Sequence, residues 1–433
     1  MLYWELEYTK NGLPTIRVVK EERIVYLHSR YDPEKEARRW VEHQTSYLTE
    51  MPDRFLVIGM GAGHHIKALH QRFPDIEIDV WDFNRQFGKW LVESGLLSWM
   101  TSEQVPITYR YTDQLSEFYQ YLTHVIENCH VFMLIHSPSL ELIPGSFNQW
   151  KMTLEEQLLH RRSFFLQCER LDENFCLNLS LHDPGITTWL DKYQDVPMIL
   201  ASAGPSLTKQ IKILKDEIDK RGKRFVLGCV GTALIPLLKL GVSPDFVMVS
   251  DANALIIEQF RGVDTSERPL FYLSTANHDA VKNYRGPRYI VWQKGYEPAE
   301  KVALERREPT VDTGGSVATC LLDLMVKMGG NPIALIGQDL SYTDGWSHAS
   351  EAHAQRRVNT DIVYYEVDDF NRKGKVKTSL NLLSYLRWFE RYVYCYENRY
   401  GGAQYRFWNC TEGGAYIKGW KHAKLTDFLD SFC

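Results

Sequence analysis

The chain lacks most of the features that would commit it to a special environment. Its eight cysteines are scattered from Cys129 to Cys433, and no two form a CxxC pair. That pattern argues against a zinc ribbon or a dithiol redox motif and predicts reduced thiols in a cytoplasmic protein. No apolar run approaches the roughly 20 residues of a membrane-spanning helix. The opening MLYWELEYTKNG has neither the basic nor the apolar stretch of a secretory signal. Excess positive charge is missing as well: 50 Lys and Arg stand against 55 Asp and Glu, for a formal net charge of −5. Nothing general draws the chain to nucleic acid or to an anionic membrane, and neither is expected as a partner. There is no short fixed-period repeat and no low-complexity tract.

What is present fits an ordinary globular protein: 433 residues, 44% hydrophobic and 24% charged. That length exceeds one hydrophobic core and predicts two or three domains. The 12 Trp and 24 Tyr can fill cores or line ligand pockets.

Alternation of apolar runs with amphipathic segments predicts an α/β protein. Residues 1–150 read as short strands and a helix begun at Asp32-Pro33-Glu34, then a Rossmann-like unit. In that unit the strand Phe55 to Ile58 leads through Gly59, Gly61 and Gly63 into a helix, and a second strand ends at Asp82. The glycines either serve a cofactor or let helix and strand pack closely; close packing is the simpler account. His64, His65 and His70 lack an acidic partner at helical spacing and are read as incidental, so no metal site is expected. The run HVFMLIH, ending at His136, would complete the sheet.

Residues 151–194 read as a helical connector. Residues 195–350 form the most regular part, with strands predicted at 198–203, 224–230, 246–250, 270–274, 289–292 and 333–337. Continuous apolar strands separated by helices predict a doubly wound, mainly parallel sheet, whose ligands bind beyond the carboxyl ends of its strands. Residues 351–433 complete that domain: the polar stretch 341–375 reads as a lid or active-site loop, and 378–397 as a helix.

Five motifs fall at predicted strand ends or helix starts. SAGPSL places Ser202, Ala203, Gly204, Pro205 and Ser206 between a strand and a helix, where free amides favour an anion. It lacks the lysine of an ATP-binding loop. A compact turn with Ser206 capping the helix is the alternative. DTGGSVAT offers Thr313, Gly314, Gly315 and Ser316 at a second helix start. SDAN carries Asp251 and Asn253, either ligand-facing or capping. GQDLSYTDGWSHA carries Gln338, Asp339 and His348; a histidine there could act as a base near neutral pH. TEGG carries Glu412, facing either a ligand or a helix dipole.

As an ordered set, these motifs resemble the motility-associated factor (Maf) flagellin glycosyltransferases, whose central region is MptE-like, or DUF115. The stretch YLHSRYDPEKEARRW adds to the likeness. The resemblance implies an N-terminal Rossmann-like domain and a central domain similar to GT-A-like bacterial sialyltransferases. It implies transfer of a nonulosonic acid, such as pseudaminic or legionaminic acid, or a Kdo-like sugar. The donor would be a CMP-sugar, the acceptors Ser and Thr hydroxyls of flagellin, and no cofactor would be required. Gly204, Pro205 and Ser206 would lie near the donor, and Thr313 to Ser316 near phosphate or ribose. Asn253, Thr275 and Asn277 would lie near cytidine or sugar. Asp251 or His348 would be the base, with Asp339 and Glu412 positioning. The sialyltransferases carry a histidine before the helix that 378–397 resembles; here the sequence reads KGKVKTS, so Lys375 or Lys377 is a candidate for the phosphate instead. Two other functions fit the residues less closely. One is pterin diphosphokinase chemistry with ATP and Mg²⁺ held by Asp251 and Asp339; the other is a flagellin-binding assembly factor without catalysis.

Overall fold

The computed structural model describes residues 2–20, 23–46, 48, 50–102, 105–342, 348–349, 352, 364–402 and 406–433. The chain divides into two compact units, Met1–Arg161 and Arg162–Cys433. The division falls inside a single helix, Asn148–Leu179, which occupies much of the stretch read from sequence as a connector.

In the first unit, strands Leu2–Tyr8, Pro14–Lys20 and Arg23–Tyr26 form an antiparallel sheet. The helix Pro33–Thr45 follows; the Asp32 carboxylate accepts from the Lys35 amide at 2.9 Å and Pro33 stands at the start, as the sequence predicts. A four-stranded parallel sheet comes next, in the order Ile107–Tyr111, Glu77–Asp82, Arg54–Ile58, Val131–Ile135. Successive side chains of a strand face opposite ways. Accordingly Phe55 and Val57 join one buried cluster with Ile66 and Phe87, while Leu56 and Ile58 join another with Trp81 and Phe118. Both faces of the sheet are covered, the usual condition for parallel strands.

The second unit holds a nine-stranded sheet in which every pairing is parallel. Its order is Thr310–Val311, Arg288–Gln293, Leu270–Leu273, Phe246–Val249, Val226–Val230, Met198–Ala201, Ile333–Ile336, Phe407–Asn409, Lys421–His422. The chain starts at Met198–Ala201, winds outward on one side, then returns to pair Ile333–Ile336 against the other side of that first strand. This reversal sets the loops after the two strands side by side, at the kind of switch point where α/β sheets bind ligands. Helices Leu207–Arg221, Gly231–Lys239 and Val317–Lys327 separate strands, as the alternating pattern predicts. The helix predicted at 378–397 spans Leu380–Tyr400. Of the supposed lid, residues 343–347, 350–351 and 353–363 lie outside the described residues. Its described end forms a hairpin, Tyr365–Asp368 with Lys375–Thr378. No described helix is long and apolar enough to cross a membrane.

Candidate functional site

The strand reversal brings SAGPSL and GQDLS together. The Ser202 amide donates to the Ile336 carbonyl at 2.9 Å, and the Gly204 amide to that of Gly337 at 2.7 Å. The Ser202 hydroxyl pairs with the Gln338 side chain. Asp339, 2% exposed, lays its carboxylate across the start of helix Leu207–Arg221. Both of its oxygens accept from the Ser206 amide at 3.3 Å, and Oδ2 also accepts the Ser206 hydroxyl at 2.7 Å. Ser206 therefore bonds Asp339 rather than capping its own helix. The anion at this helix N-terminus is supplied by the protein itself. Gly204 is required by the same packing: a Cβ there would overlap Asp339 Oδ2 and the Gly337 carbonyl oxygen.

The TEGG turn closes the third side. The Gln338 amide donates to the Thr411 hydroxyl at 3.3 Å, and the Ala415 amide to the Asp339 carbonyl at 2.7 Å. Buried Gln210 ties the three turns together, accepting from the Gly337 amide at 2.8 Å and donating to the Thr411 carbonyl at 2.5 Å. Glu412 is exposed and accepts from the Leu425 amide at 2.8 Å, at the start of the final helix Leu425–Phe432. This is the helix-facing alternative for Glu412. The Ala349 amide donates to the Ala203 carbonyl at 2.8 Å, which places His348 beside the SAGPSL turn, half-buried.

Further along the same edge, Asp251 is exposed, and its Oδ1 accepts from the Asn253 amide at 2.9 Å and side chain at 2.8 Å. Asn277 is buried and caps the short helix His278–Lys282 through the Ala280 amide. Thr275 is buried and accepts from the Gln293 side chain at 2.9 Å. Gly314 lies flush under the Trp388 indole, and Gly315 takes φ +87. The Ser316 hydroxyl is buried with no hydrogen-bond partner among the described residues, as is that of Ser341 two residues after Asp339. Thr313 reaches the Lys294 carbonyl at 3.4 Å.

The helix Leu380–Tyr400 joins these groups. Just before it, the Thr378 hydroxyl donates to the Leu340 carbonyl at 2.8 Å, beside Asp339. Burial raises the Tyr385 phenol, and the Asp251 charge nearby raises it further. One turn on, Trp388 covers Gly314. Lys375 is exposed and paired with Asp368 at 2.5 Å, and Lys377 lies over the Tyr364 ring.

Residues 173–345 match the family described as 6-hydroxymethylpterin diphosphokinase MptE-like. This MptE-like region is less than half of the chain. It holds Ser202 to Ser206, Asp251 to Asn277, Thr313 to Ser316, Gln338 and Asp339, whereas His348, Tyr385, Trp388 and Glu412 lie beyond it. Among solved structures the chain is similar to the MAf glycosyltransferase from Magnetospirillum magneticum AMB-1, with 15% identity, a TM-score of 0.49, and 97% of this chain and 70% of that chain covered. No curated protein sequence matches the chain.

Sequence reasoning missed the residues that tie the edge together. Asn174 and Asn178 on the helix Asn148–Leu179 reach the strand-end loops, donating to the carbonyls of Ala252, Thr275, Ser274 and Ala276. Two asparagines four apart on a helix was the available signal. Trp388 and Tyr385 gave none, because their role depends on where the helix lands.

Proposed function

We propose that the chain is a glycosyltransferase that moves a nonulosonic acid, or a Kdo-like sugar, from a CMP-sugar to Ser or Thr hydroxyls of flagellin. The observation that carries this reading is the edge of the nine-stranded sheet. There Thr378, just before the helix Leu380–Tyr400, bonds Leu340 at the reversal point, while Tyr385 and Trp388 on that helix come near exposed Asp251 and over Gly314. A CMP donor presents one phosphate, which hydroxyls and amides can stabilise as it departs. Asp251 is the better placed base of the two candidates by exposure, being a carboxylate open to an incoming hydroxyl. A carboxylate there also favours the positive charge that develops on the sugar ring. Asp339, buried and bound to Ser206, holds the two strand-end turns together rather than the substrate.

The test is calorimetric titration with CMP, with and without EDTA, and with ATP–Mg²⁺ in parallel. CMP binding that survives EDTA is expected. Asp251→Asn should then lower sugar transfer by about 100-fold or more while CMP still binds. A second reading comes from the MptE-like match: diphosphate transfer from ATP, with Mg²⁺ held by carboxylates. Turnover of ATP–Mg²⁺ without CMP binding would establish it instead. Flagellin binding with neither nucleotide would leave an assembly factor.

A further inference from the structure

The glycine turn of the first unit is filled, and its contents point to a metal. His28, His65 and His136 are 2%, 1% and 4% exposed, and their ligand nitrogens lie within 4.8 Å of one another. They come from three separate segments: the loop after strand Arg23–Tyr26, the helix His64–Arg72, and the end of strand Val131–Ile135. Gly61 has no side chain where a Cβ would come within 2.6 Å of His28 Nε2, and a Cβ on Gly59 would overlap Ser139. The GMGAG turn therefore makes room for imidazoles, not for a pyrophosphate.

Each ring is held from behind by one nitrogen. His65 Nε2 donates to the Gly59 carbonyl at 2.9 Å, which leaves Nδ1 as a bare lone pair. His28 Nδ1 lies 3.6 Å from the Glu36 carboxylate, and Glu36 is itself fixed by the Ser29 amide at 2.7 Å. His136 Nδ1 bonds the Ser139 hydroxyl at 2.7 Å, leaving Nε2. The inward nitrogens His28 Nε2 and His65 Nδ1 are buried and have no partner among the described residues. Buried lone pairs without partners are costly. A back-side acceptor on each ligating histidine is how metal sites fix tautomer and orientation.

We propose that His28, His65 and His136 bind one divalent transition-metal ion of the zinc class. Three imidazoles without thiolates suit zinc, cobalt or nickel rather than magnesium or calcium. The Glu36 carboxylate offsets part of the ion's charge. An ion about 2.1 Å from each nitrogen needs them roughly 3.4 Å apart. Binding therefore draws the nitrogens inward and turns His65 and His136 out of their present stack, in which the ring centroids are 4.0 Å apart at 12°. The fourth position is left to water.

The experiment uses the untagged full-length chain, stripped with chelator and dialysed against Zn²⁺, with Co²⁺ as a spectroscopic probe. About one equivalent of Zn²⁺ is expected, with a visible Co²⁺ spectrum of low-symmetry coordination and a thermal midpoint raised by Zn²⁺. His65→Gln and His136→Gln should each lose stoichiometric binding; His278→Gln, in the other unit, should keep it. Glu36→Gln, which touches His28 and not the ion, should weaken Zn²⁺ by about 10- to 100-fold. X-ray absorption on the zinc-loaded wild type should count three imidazoles, which keeps the test decisive if a histidine variant does not fold. No stoichiometric zinc in the wild type, or a shell with fewer than two imidazoles, overturns the proposal.

Discussion

The two units contain the same local device with opposite contents. Each has a parallel strand that ends in a glycine turn and feeds a helix, GMGAG in the first and SAGPS in the second. In the first the turn wraps neutral imidazoles; in the second it wraps the carboxylate of Asp339. A glycine turn at a strand end thus specifies only that something lies close to the backbone. What lies there is decided by residues far away in sequence, His28 and His136 in one case and Asp339 in the other. An electron-pair donor fills one turn and an anion the other, so their chemistry diverges from a shared geometry.

The sharpest way to break the comparison is to add one methyl group to each turn. Gly204→Ala should destabilise the second unit by about 3 kcal/mol, because the new Cβ meets a backbone oxygen that cannot move aside. Gly61→Ala, at φ +52, meets mainly the edge of the His28 ring and should cost about 1–2 kcal/mol. Urea unfolding of the two variants measures both. Equal losses would mean that the imidazoles are as fixed as the peptide.

Acid groups near the turns provide the next contrast. Asp339 is satisfied by Ser206, but Asp82, at the end of strand Glu77–Asp82, has only the Tyr109 hydroxyl at 2.8 Å and the Met60 amide at 3.3 Å. Burial pushes the Asp82 carboxyl up from 3.8 to about 6. A carboxyl with a raised folded value stabilises the fold below its unfolded value of 3.8, and that contribution is lost as pH rises through about 6. The loss amounts to about 3 kcal/mol. Asp82→Asn should therefore melt higher than wild type at pH 8, with the advantage gone at pH 4, as read from thermal midpoints. A constant difference across that range would rule out Asp82 titration.

The smallest expected effect concerns Ser316. Its buried hydroxyl has no partner among the described residues, so Ser316→Ala should leave stability unchanged or raise it by less than about 1 kcal/mol. The same change should weaken CMP by roughly fivefold if the hydroxyl meets the phosphate. Stability and affinity moving in opposite directions would identify the serine as ligand-facing.

The strands of the central sheet could be read directly because they are short apolar runs buried on both faces: Met198–Ala201, Phe246–Val249, Leu270–Leu273 and Ile333–Ile336 are buried at every position. The edges could not. Thr310–Val311 and Lys421–His422 are two residues long, and Phe407–Asn409 is three, too short to show a period. Ile107–Tyr111 hid for a different reason: ITYRY carries an arginine and three half-buried neighbours at the margin of its sheet. At the site, SAGPSL was visible as a turn, but its Asp339 filler was not, because the pairing spans 133 residues. The histidine trio was hidden in the same way. His64, His65 and His70 stand together in sequence, yet only the His65 nitrogen groups with those of the two distant rings, while His64 packs edge-on against His28.

The Ile333–Ile336 and Phe407–Asn409 strands are hydrogen-bonded neighbours, although some seventy residues separate them in the chain. Between them in the chain stands the helix Leu380–Tyr400, preceded by the hairpin Tyr365–Asp368 and Lys375–Thr378. In engineering terms the helix Leu380–Tyr400 is a cassette set apart from Gly337 to Asp339, which belong to the scaffold. It carries Trp388, which covers Gly314, and Tyr385, which feels the Asp251 charge. Exchanging that helix alone between homologues would refit what covers Gly314 while Gly337, Gln338 and Asp339 keep the strand-end turns in place, so selectivity and scaffold could be altered separately.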